Sequence, residues 1–192
     1  MAVMRTAILA GGASTRMGRD KAHLARGGVT LLQGLVQAAA RLGPVAVVGR
    51  GPEAGLAATF LSDAVPGAGP LGGIAAALAW ASPEPVLIIA VDLPWLTAAD
   101  LAWLADLPPG LDGTVVRRDG RIEPLFSRWH PSLATVVAAA LADGRRSPLA
   151  VLERAAMAVY DAPADLAARL RDCDTPESWA LASGAPPDAA DP

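Results

Sequence analysis

One lysine, Lys21, ends a glycine-rich segment whose residue types suit phosphate binding. Of the 16 lysine and arginine residues in the chain, only Lys21 is a lysine. Its ammonium group is a compact charge on a flexible stem, which the planar guanidinium of arginine does not reproduce. Gly11 and Gly12 precede it and leave backbone N–H groups open to an anion, and Arg16 adds a second cation. We therefore predict that this segment binds phosphate groups.

Two common nucleotide-binding fingerprints do not match this segment. A Walker A loop ends in Gly-Lys-Ser/Thr, whereas Gly18 is followed by Arg-Asp-Lys-Ala at positions 19–22. The dinucleotide fingerprint Gly-x-Gly-x-x-Gly is also missing from residues 11–16. The segment therefore predicts a phosphate-binding loop of another kind.

The elements that must position this loop alternate between strand and helix patterns. Apolar runs predict strands over residues 6–10, 45–48, 56–61, 86–91 and 157–160, with short strands at 115–116, 121–122 and 125–127. Helical spacing predicts helices over 31–42, 74–81, 98–107, 132–141, 148–155 and from Pro176, the third of them capped by Thr97 with Asp100. This alternation predicts an α/β fold, Rossmann-like, with three α/β/α layers and a mainly parallel sheet. We expect a single domain over residues 1–184 and a disordered tail over 185–192.

Several polar or flexible residues follow directly after the predicted strands. Residues 9–12 end the first strand, Gly49 ends the second, and Asp63 and Asp92 follow the next two. Ligands of open parallel sheets bind beyond the carboxyl ends of the strands. These residues should therefore face one crevice, and the Gly-rich stretch 67–73 is expected to be a flexible loop beside it.

Composition excludes several other classes of function. The chain has 192 residues and a net charge of -3, which argues against a broad nucleic-acid surface. Its single cysteine, Cys173, excludes an intramolecular disulfide and a cysteine-based zinc site. The N-terminal residues lack a signal-peptide layout, and every apolar run is interrupted before about 20 residues. We therefore expect a cytoplasmic protein that binds neither nucleic acid nor membrane.

The motifs together resemble the nucleotidyltransferases that include molybdenum cofactor guanylyltransferase. The family motifs Leu-Ala-Gly-Gly, Arg-Met-Gly and Asp-Lys are present at 9–12, 16–18 and 20–21. The resemblance continues, in order, through Asp63, 69–73, 91–94, 124–126 and 172–177. It thus covers nearly the whole chain.

The resemblance also implies a role for each matching residue. Backbone groups of Leu9, Ala10, Gly11 and Gly12 would hold the nucleotide, Lys21 would contact its phosphates, and Asp63 would bind the nucleotide moiety. Arg16 and Lys21 would act on the leaving pyrophosphate. Asp92 would ligate Mg2+ and touch the nucleotide, which makes Arg16, Lys21 and Asp92 the expected catalytic set. Asp174 is the hypothesised second Mg2+ ligand, although Asp174-Thr175-Pro176 would equally start a helix.

The implied reaction transfers GMP from GTP to the phosphate of molybdopterin and releases pyrophosphate. Two polyanions must meet in it, so the protein has to neutralise charge and align the attack more than supply a base. GTP and the molybdopterin cofactor are the implied partners. Proteins that insert molybdopterin, or that receive it as molybdoenzymes, are left open as further partners.

One departure from the family pattern bears on base selection. An asparagine that helps to read guanine is usual just after the second strand, and Gly49 occupies that position here, followed by Arg50. A cytidylyltransferase acting on the same pterin therefore remains an alternative. Two further alternatives are an enzyme that couples a nucleotide to a sugar or lactate phosphate and a non-catalytic nucleotide-binding carrier. The arginine pairs at 117–118 and 145–146 are either solvated on the surface or bind a molybdopterin phosphate. No role is predicted for His23 or His130.

Overall fold

Nine strands and six helices make up the computed structural model, which describes residues 3–11, 21–26 and 28–171. The strands are β1 (Arg5–Leu9), β2 (Ala25–Arg26), β3 (Val29–Thr30), β4 (Val45–Val48), β5 (Thr59–Leu61), β6 (Val86–Ala90), β7 (Gly113–Arg118), β8 (Arg121–Trp129) and β9 (Met157–Asp161). The helices are α1 (Leu31–Ala40), α2 (Pro70–Ala81), α3 (Ala98–Asp106), α4 (Ala134–Ala142), α5 (Leu149–Leu152) and α6 (Ala164–Arg169). Two 3-10 turns cover Lys21–His23 and Pro131–Leu133.

Seven of the strands form one sheet in the order β5-β4-β1-β6-β8-β7-β9. Strand β8 is antiparallel to its neighbours β6 and β7, and every other pair in this sheet is parallel. Strands β2 and β3 form a separate short hairpin. The prediction of a mainly parallel sheet is confirmed.

Helices cover both faces of this sheet because its central strands are apolar on both sides. All five residues of β6 are buried. Ile8 and Leu87 pack with α1, α3 and α6 on one face, whereas Ala7 and Ile88 pack with α2, α4 and α5 on the other. This arrangement confirms the predicted α/β/α layers. Within the described residues, no helix is both long and apolar enough for a membrane span.

Helix α2 begins at Pro70, so the expectation of a flexible loop up to Gly73 and a helix from Ile74 is wrong. Proline suits the first helical position, where its missing N–H has no partner to lose. A Cβ at Gly72 would lie 2.8 Å from the carbonyl oxygen of Val65. Glycine at position 72 therefore permits close packing of the helix on the preceding loop. Its low helix propensity, taken by itself, favours a loop.

The segment after residue 112 is also more regular than its sequence suggests. The three short strands predicted there are two long ones, β7 and β8, whose register shifts from Val115–Ser127 to Val116–Glu123. The skipped residues 124–126 form a bulge that includes Pro124, and a proline is tolerated in a sheet at such a bulge. Pairing resumes beyond it.

Other boundaries differ less from the predictions. The third strand starts at Thr59 instead of residue 56, and the helix expected over 148–155 is confined to α5. Neither the β2–β3 hairpin nor α6 was predicted from the sequence. The helix expected from Pro176 and the tail over 185–192 lie outside the described residues, so the boundary of the predicted domain at residue 184 stays a prediction.

A buried carboxylate, Asp100, ties α3 to α6. Thr97 and Asp100 form the predicted capping box at the start of α3, and Arg169 donates two hydrogen bonds to Asp100 at 2.9 and 2.7 Å. Burial alone would raise the pKa of the Asp100 carboxyl, but the hydrogen bonds from Arg169 and Thr97 outweigh it and lower that pKa. The ionised carboxylate therefore stabilises the folded protein above its ordinary pKa, and this contribution is lost as the pH falls through the lowered value.

We expect Asp100→Asn to lower the free energy of unfolding by about 2 kcal/mol at pH 7, because a buried, charge-assisted pair is lost. The difference from wild type should shrink as the pH falls below 4, which urea unfolding between pH 7 and pH 3 would measure. Asp165→Asn is the matched control, since Asp165 pairs with the same Arg169 but its side chain is 73% exposed. An equal decrease in the free energy of unfolding of the two variants would contradict the stabilising role of the buried Asp100 carboxylate.

Candidate functional site

Four neighbouring strands of the sheet end at the same level. Leu61, Val48, Leu9 and Ala90 lie side by side in the register of β5, β4, β1 and β6. Backbone hydrogen bonds continue one residue further, from Ala10 N to Val48 O at 2.9 Å, from Gly49 N to Leu61 O at 2.8 Å and from Val91 N to Leu9 O at 3.1 Å. The residues that follow these strands therefore share one edge. From β1 the chain continues to β4 and β5 on one side, whereas β6 lies on the other side of β1 and continues to β8 and β7. Open α/β sheets form a ligand-binding crevice where the strand order reverses in this way.

The backbones at Gly11 and Gly49 approach each other closely at this edge. A Cβ built on Gly49 would lie 2.5 Å from Gly11 Cα and 2.7 Å from Gly11 N, and Gly49 has a φ of +86°. Both the contact and the left-handed backbone favour glycine. Position 49 therefore carries no side chain that could reach a ligand, and the expected asparagine would not fit without a shift of the loop.

The carboxylate of Asp63 lies among three glycines. Its oxygens are 3.5 Å from the Cβ position of Gly11, 3.5 Å from that of Gly49 and 3.4 Å from that of Gly73. Burial raises the pKa of this carboxyl, and it has no hydrogen-bond or ion-pair partner within residues 3–11, 21–26 and 28–171. A partly desolvated acceptor without partners gains free energy when a ligand donates to it.

Asp92 is at the same edge of the sheet, two residues after Ala90, and is half-buried. The bond from Val91 N to Leu9 O holds this loop beside the end of β1. The Asp63 carboxylate lies against Gly11, which follows β1, and Asp92 follows the neighbouring strand β6. The two carboxylates therefore face the same crevice from neighbouring strand ends.

The turn that contains Lys21 packs beside the loop after β6. Ala22 is fully buried in the apolar cluster that includes Ala10, Ala90 and Leu93. Leu93 directly follows Asp92, so the turn and the β6 loop share one packing region. The predictions for Gly12, Arg16 and Asp174, and for the side chain of Lys21, lie outside the described part of the chain.

The two arginine pairs have different surroundings. Arg117 donates two hydrogen bonds to Asp161, at 2.6 and 2.9 Å, and Arg118 donates one to Glu123 at 2.6 Å. These two guanidinium groups therefore already have carboxylate partners. By contrast, the carbonyl of Arg146 accepts a 3.4 Å hydrogen bond from Leu71 N in the first turn of α2. The exposed residues 145–146 thus border the crevice.

A cluster of His23, Arg50 and Glu53 lies beside the crevice. The sequence patterns did not indicate it. The Nε2 atom of His23 is 3.3 Å from Glu53 Oε1, and Arg50 Nε donates to the same oxygen at 3.0 Å. The spacing of Arg50 and Glu53 is a local signal that could have suggested their pairing. The contact with His23 joins distant segments, and no spacing in the sequence reveals it.

Comparison with known proteins identifies the family. The model of the MobA-like NTP transferase domain matches residues 6–160. A probable molybdenum cofactor guanylyltransferase from Synechococcus elongatus is 35% identical, over 90% of this chain and 94% of that protein. A molybdenum cofactor guanylyltransferase from Xanthomonas euvesicatoria pv. vesicatoria is 36% identical, over 90% of each chain. A further probable guanylyltransferase, from Carboxydothermus hydrogenoformans, is 40% identical over 70% of this chain and 69% of its own.

Solved structures share the fold at lower identity. Molybdopterin-guanine dinucleotide biosynthesis protein A from Archaeoglobus fulgidus superposes with a TM-score of 0.77 at 23% identity, covering 94% of this chain and 97% of that one. The 2-C-methyl-D-erythritol 4-phosphate cytidylyltransferase from Thermus thermophilus gives 0.67 at 22% identity, covering 96% and 98%. At this identity the superpositions establish the fold alone. The family match and the sequence relatives show that this chain belongs to the MobA-like NTP transferase family.

Proposed function

We propose that this protein is a Mg2+-dependent molybdenum cofactor guanylyltransferase. It transfers GMP from GTP to the phosphate of molybdopterin, forming molybdopterin guanine dinucleotide and pyrophosphate. The names of its relatives support this activity. The proposal is supported in this chain by the location of Asp63, against Gly11 and Gly49, and of Asp92, after β6, at one edge of the sheet. The expected compartment, the cytoplasm, stays a prediction from the sequence.

The proposed base site is the glycine-lined carboxylate of Asp63. Guanine presents a ring N–H and an amino group side by side, and these two donors match the two oxygens of a carboxylate. The pairing edge of cytosine presents one amino group beside acceptor atoms, which a carboxylate would repel. Asp63 therefore favours GTP over CTP without help from a side chain at position 49.

The proposed phosphate site includes Asp92 and the backbone of residues 9–12. Mg2+ is commonly held by one or two carboxylates together with substrate phosphates, and the described residues contain no group of three or more ligand side chains that would hold a metal alone. The half-buried Asp92 carboxylate fits such a shared ion, with Asp174 as the proposed second ligand. Bound Mg2+ would neutralise charge on the triphosphate, while Arg16 and Lys21 would bind the pyrophosphate.

The acceptor is proposed to enter from the rim near residues 145–146. Their arginine side chains are exposed beside the first turn of α2 and would attract the molybdopterin phosphate. An oxygen of that phosphate attacks the α-phosphorus of GTP in line. A new P–O–P bond forms, the bond between the α- and β-phosphates breaks, and pyrophosphate leaves with the bond's electron pair. The protein contributes mainly by positioning and charge neutralisation.

Replacing Asp92 should stop this reaction. We expect Asp92→Ala to reduce Mg2+-dependent pyrophosphate release by about 100-fold or more, because a carboxylate that holds the metal is lost. A coupled pyrophosphate assay with GTP and molybdopterin would measure it. Glu84→Ala is the control, since the exposed Glu84 precedes the opposite end of β6. Unchanged pyrophosphate release in Asp92→Ala would contradict the proposal that Asp92 binds Mg2+.

Base selection should depend on Asp63. We expect Asp63→Asn to weaken GTP binding by about 10- to 100-fold, the usual range for a lost charge-assisted hydrogen-bond pair. Wild type should prefer GTP to ITP, which lacks the guanine amino group, and the variant should lose that preference. Calorimetric titration with GTP, ITP and CTP would test both. Tighter binding of CTP than of GTP by wild type would overturn the proposed nucleotide.

A side chain at position 49 should disturb the site. Both Gly49→Ala and Gly49→Asn are expected to lower the free energy of unfolding by about 2 kcal/mol, because the left-handed backbone is strained and Gly11 is displaced. GTP binding should weaken in both, including the variant that restores the usual asparagine. Gly51→Ala is the control, since a Cβ there meets nothing within 4 Å. Tighter GTP binding by Gly49→Asn would show that the loop adapts.

A further inference from the structure

Three charged or polar side chains connect the Lys21–His23 turn to the loop after β4. One oxygen of Glu53 is 3.3 Å from His23 Nε2 and 3.0 Å from Arg50 Nε. Arg50 directly follows Gly49, and His23 is the last residue of the turn. Glu53 is therefore the shared partner that joins the turn to the edge of the crevice.

Glu53 is held firmly enough to act as an attachment point. The side chains of Arg50 and Glu53 are 14% and 25% exposed, so solvent screens their ion pair less than it screens a surface pair. The backbone N–H of Leu56 donates to the carbonyl of Glu53 at 3.4 Å, and Leu56 packs against the main apolar cluster. The loop around Glu53 is thereby fixed to the body of the protein.

The backbone of the turn is attached to the body of the protein on both sides of His23. Ala22 is buried in the main apolar cluster, and Leu31 N donates to the carbonyl of Leu24 at 2.9 Å just after the turn. The contact between His23 and Glu53 adds an attachment to the loop after β4. Loss of that contact would loosen the turn relative to this loop.

We propose that Glu53 is a positioning residue for the triphosphate, acting through His23 to set where Lys21 meets the phosphates. This inference rests on the proposed function. A small displacement of a group that binds the reacting atoms has a large effect on rate and affinity. Because Glu53 acts through Lys21, its loss should affect contacts to the β- and γ-phosphates more than contacts to the nucleoside.

The test compares GTP with GMP, which lacks the two terminal phosphates. In calorimetric titrations with Mg2+, Glu53→Ala should weaken GTP binding by about tenfold, the size of one charge-assisted interaction. GMP binding should change less than about twofold, because the remaining contacts are intact. Glu53→Gln keeps an acceptor for Arg50 and His23 and should restore most of the GTP affinity. Glu153→Ala removes an exposed carboxylate outside the site and serves as the charge control.

A double-mutant cycle separates positioning from a general structural role. In the Lys21→Ala background, Glu53→Ala should have no further effect on GTP binding, because the group that it positions is already missing. Equal weakening of GTP and GMP by Glu53→Ala, or additive losses with Lys21→Ala, would overturn the inference. Unchanged GTP binding in Glu53→Ala would overturn it as well.

Failure of this inference is distinguishable from failure of the proposed function. Wild type that prefers CTP to GTP, or releases no pyrophosphate with molybdopterin, would contradict the function. The role of Glu53 would still be tested, with the triphosphate and monophosphate of the preferred base.

Discussion

The close backbone contact between Gly11 and Gly49 is the constraint on which the rest of the site depends. Hydrogen bonds from Ala10 to Val48 and from Gly49 to Leu61 bring three strand ends to one level. This leaves no space for a Cβ between β1 and β4. Because the gap is closed by backbone alone, Asp63 lies against glycines, and no side chain among residues 3–11, 21–26 and 28–171 pairs with it. The binding potential of its carboxylate thus follows from backbone packing.

Much of the fold was predictable because the central strands are short, continuous apolar runs. The end of β6 at Ala90 and the position of Asp92 follow from one such run and one turn. The glycine content of residues 67–73 predicts a loop, but α2 begins at Pro70. Close packing of Gly72 against Val65 is compatible with the helix and is not visible in the sequence. Similarly, the sequence predicts separate short strands over 121–122 and 125–127, whereas β8 is continuous and accommodates Pro124 in a bulge. Local propensity fails at positions where contacts between distant segments decide the backbone.

The candidate site was predictable in outline for the same reason. Parallel strands end at one edge, so the sequence positions of Gly49, Asp63 and Asp92 after predicted strands were enough to bring them together. The contact that excludes an asparagine at position 49 was not predictable, because it depends on the distance between two backbones. The pairing of His23 with Glu53 was hidden for a related reason. It joins a turn and a loop that are far apart in sequence, and neither has a periodic pattern.

The absence of a side chain at position 49 changes how guanine would be selected. An asparagine offers a neutral donor and acceptor, whereas Asp63 in a glycine-lined site offers two acceptors and a carboxyl whose pKa is raised by burial. A partly buried carboxylate that no described residue pairs with is stabilised most by a ligand that donates two hydrogen bonds to it. Selection would then come from the repulsion of bases that present acceptors as much as from attraction of guanine. Loss of the asparagine is therefore compatible with strict selection, provided that the backbone contact keeps Asp63 in place.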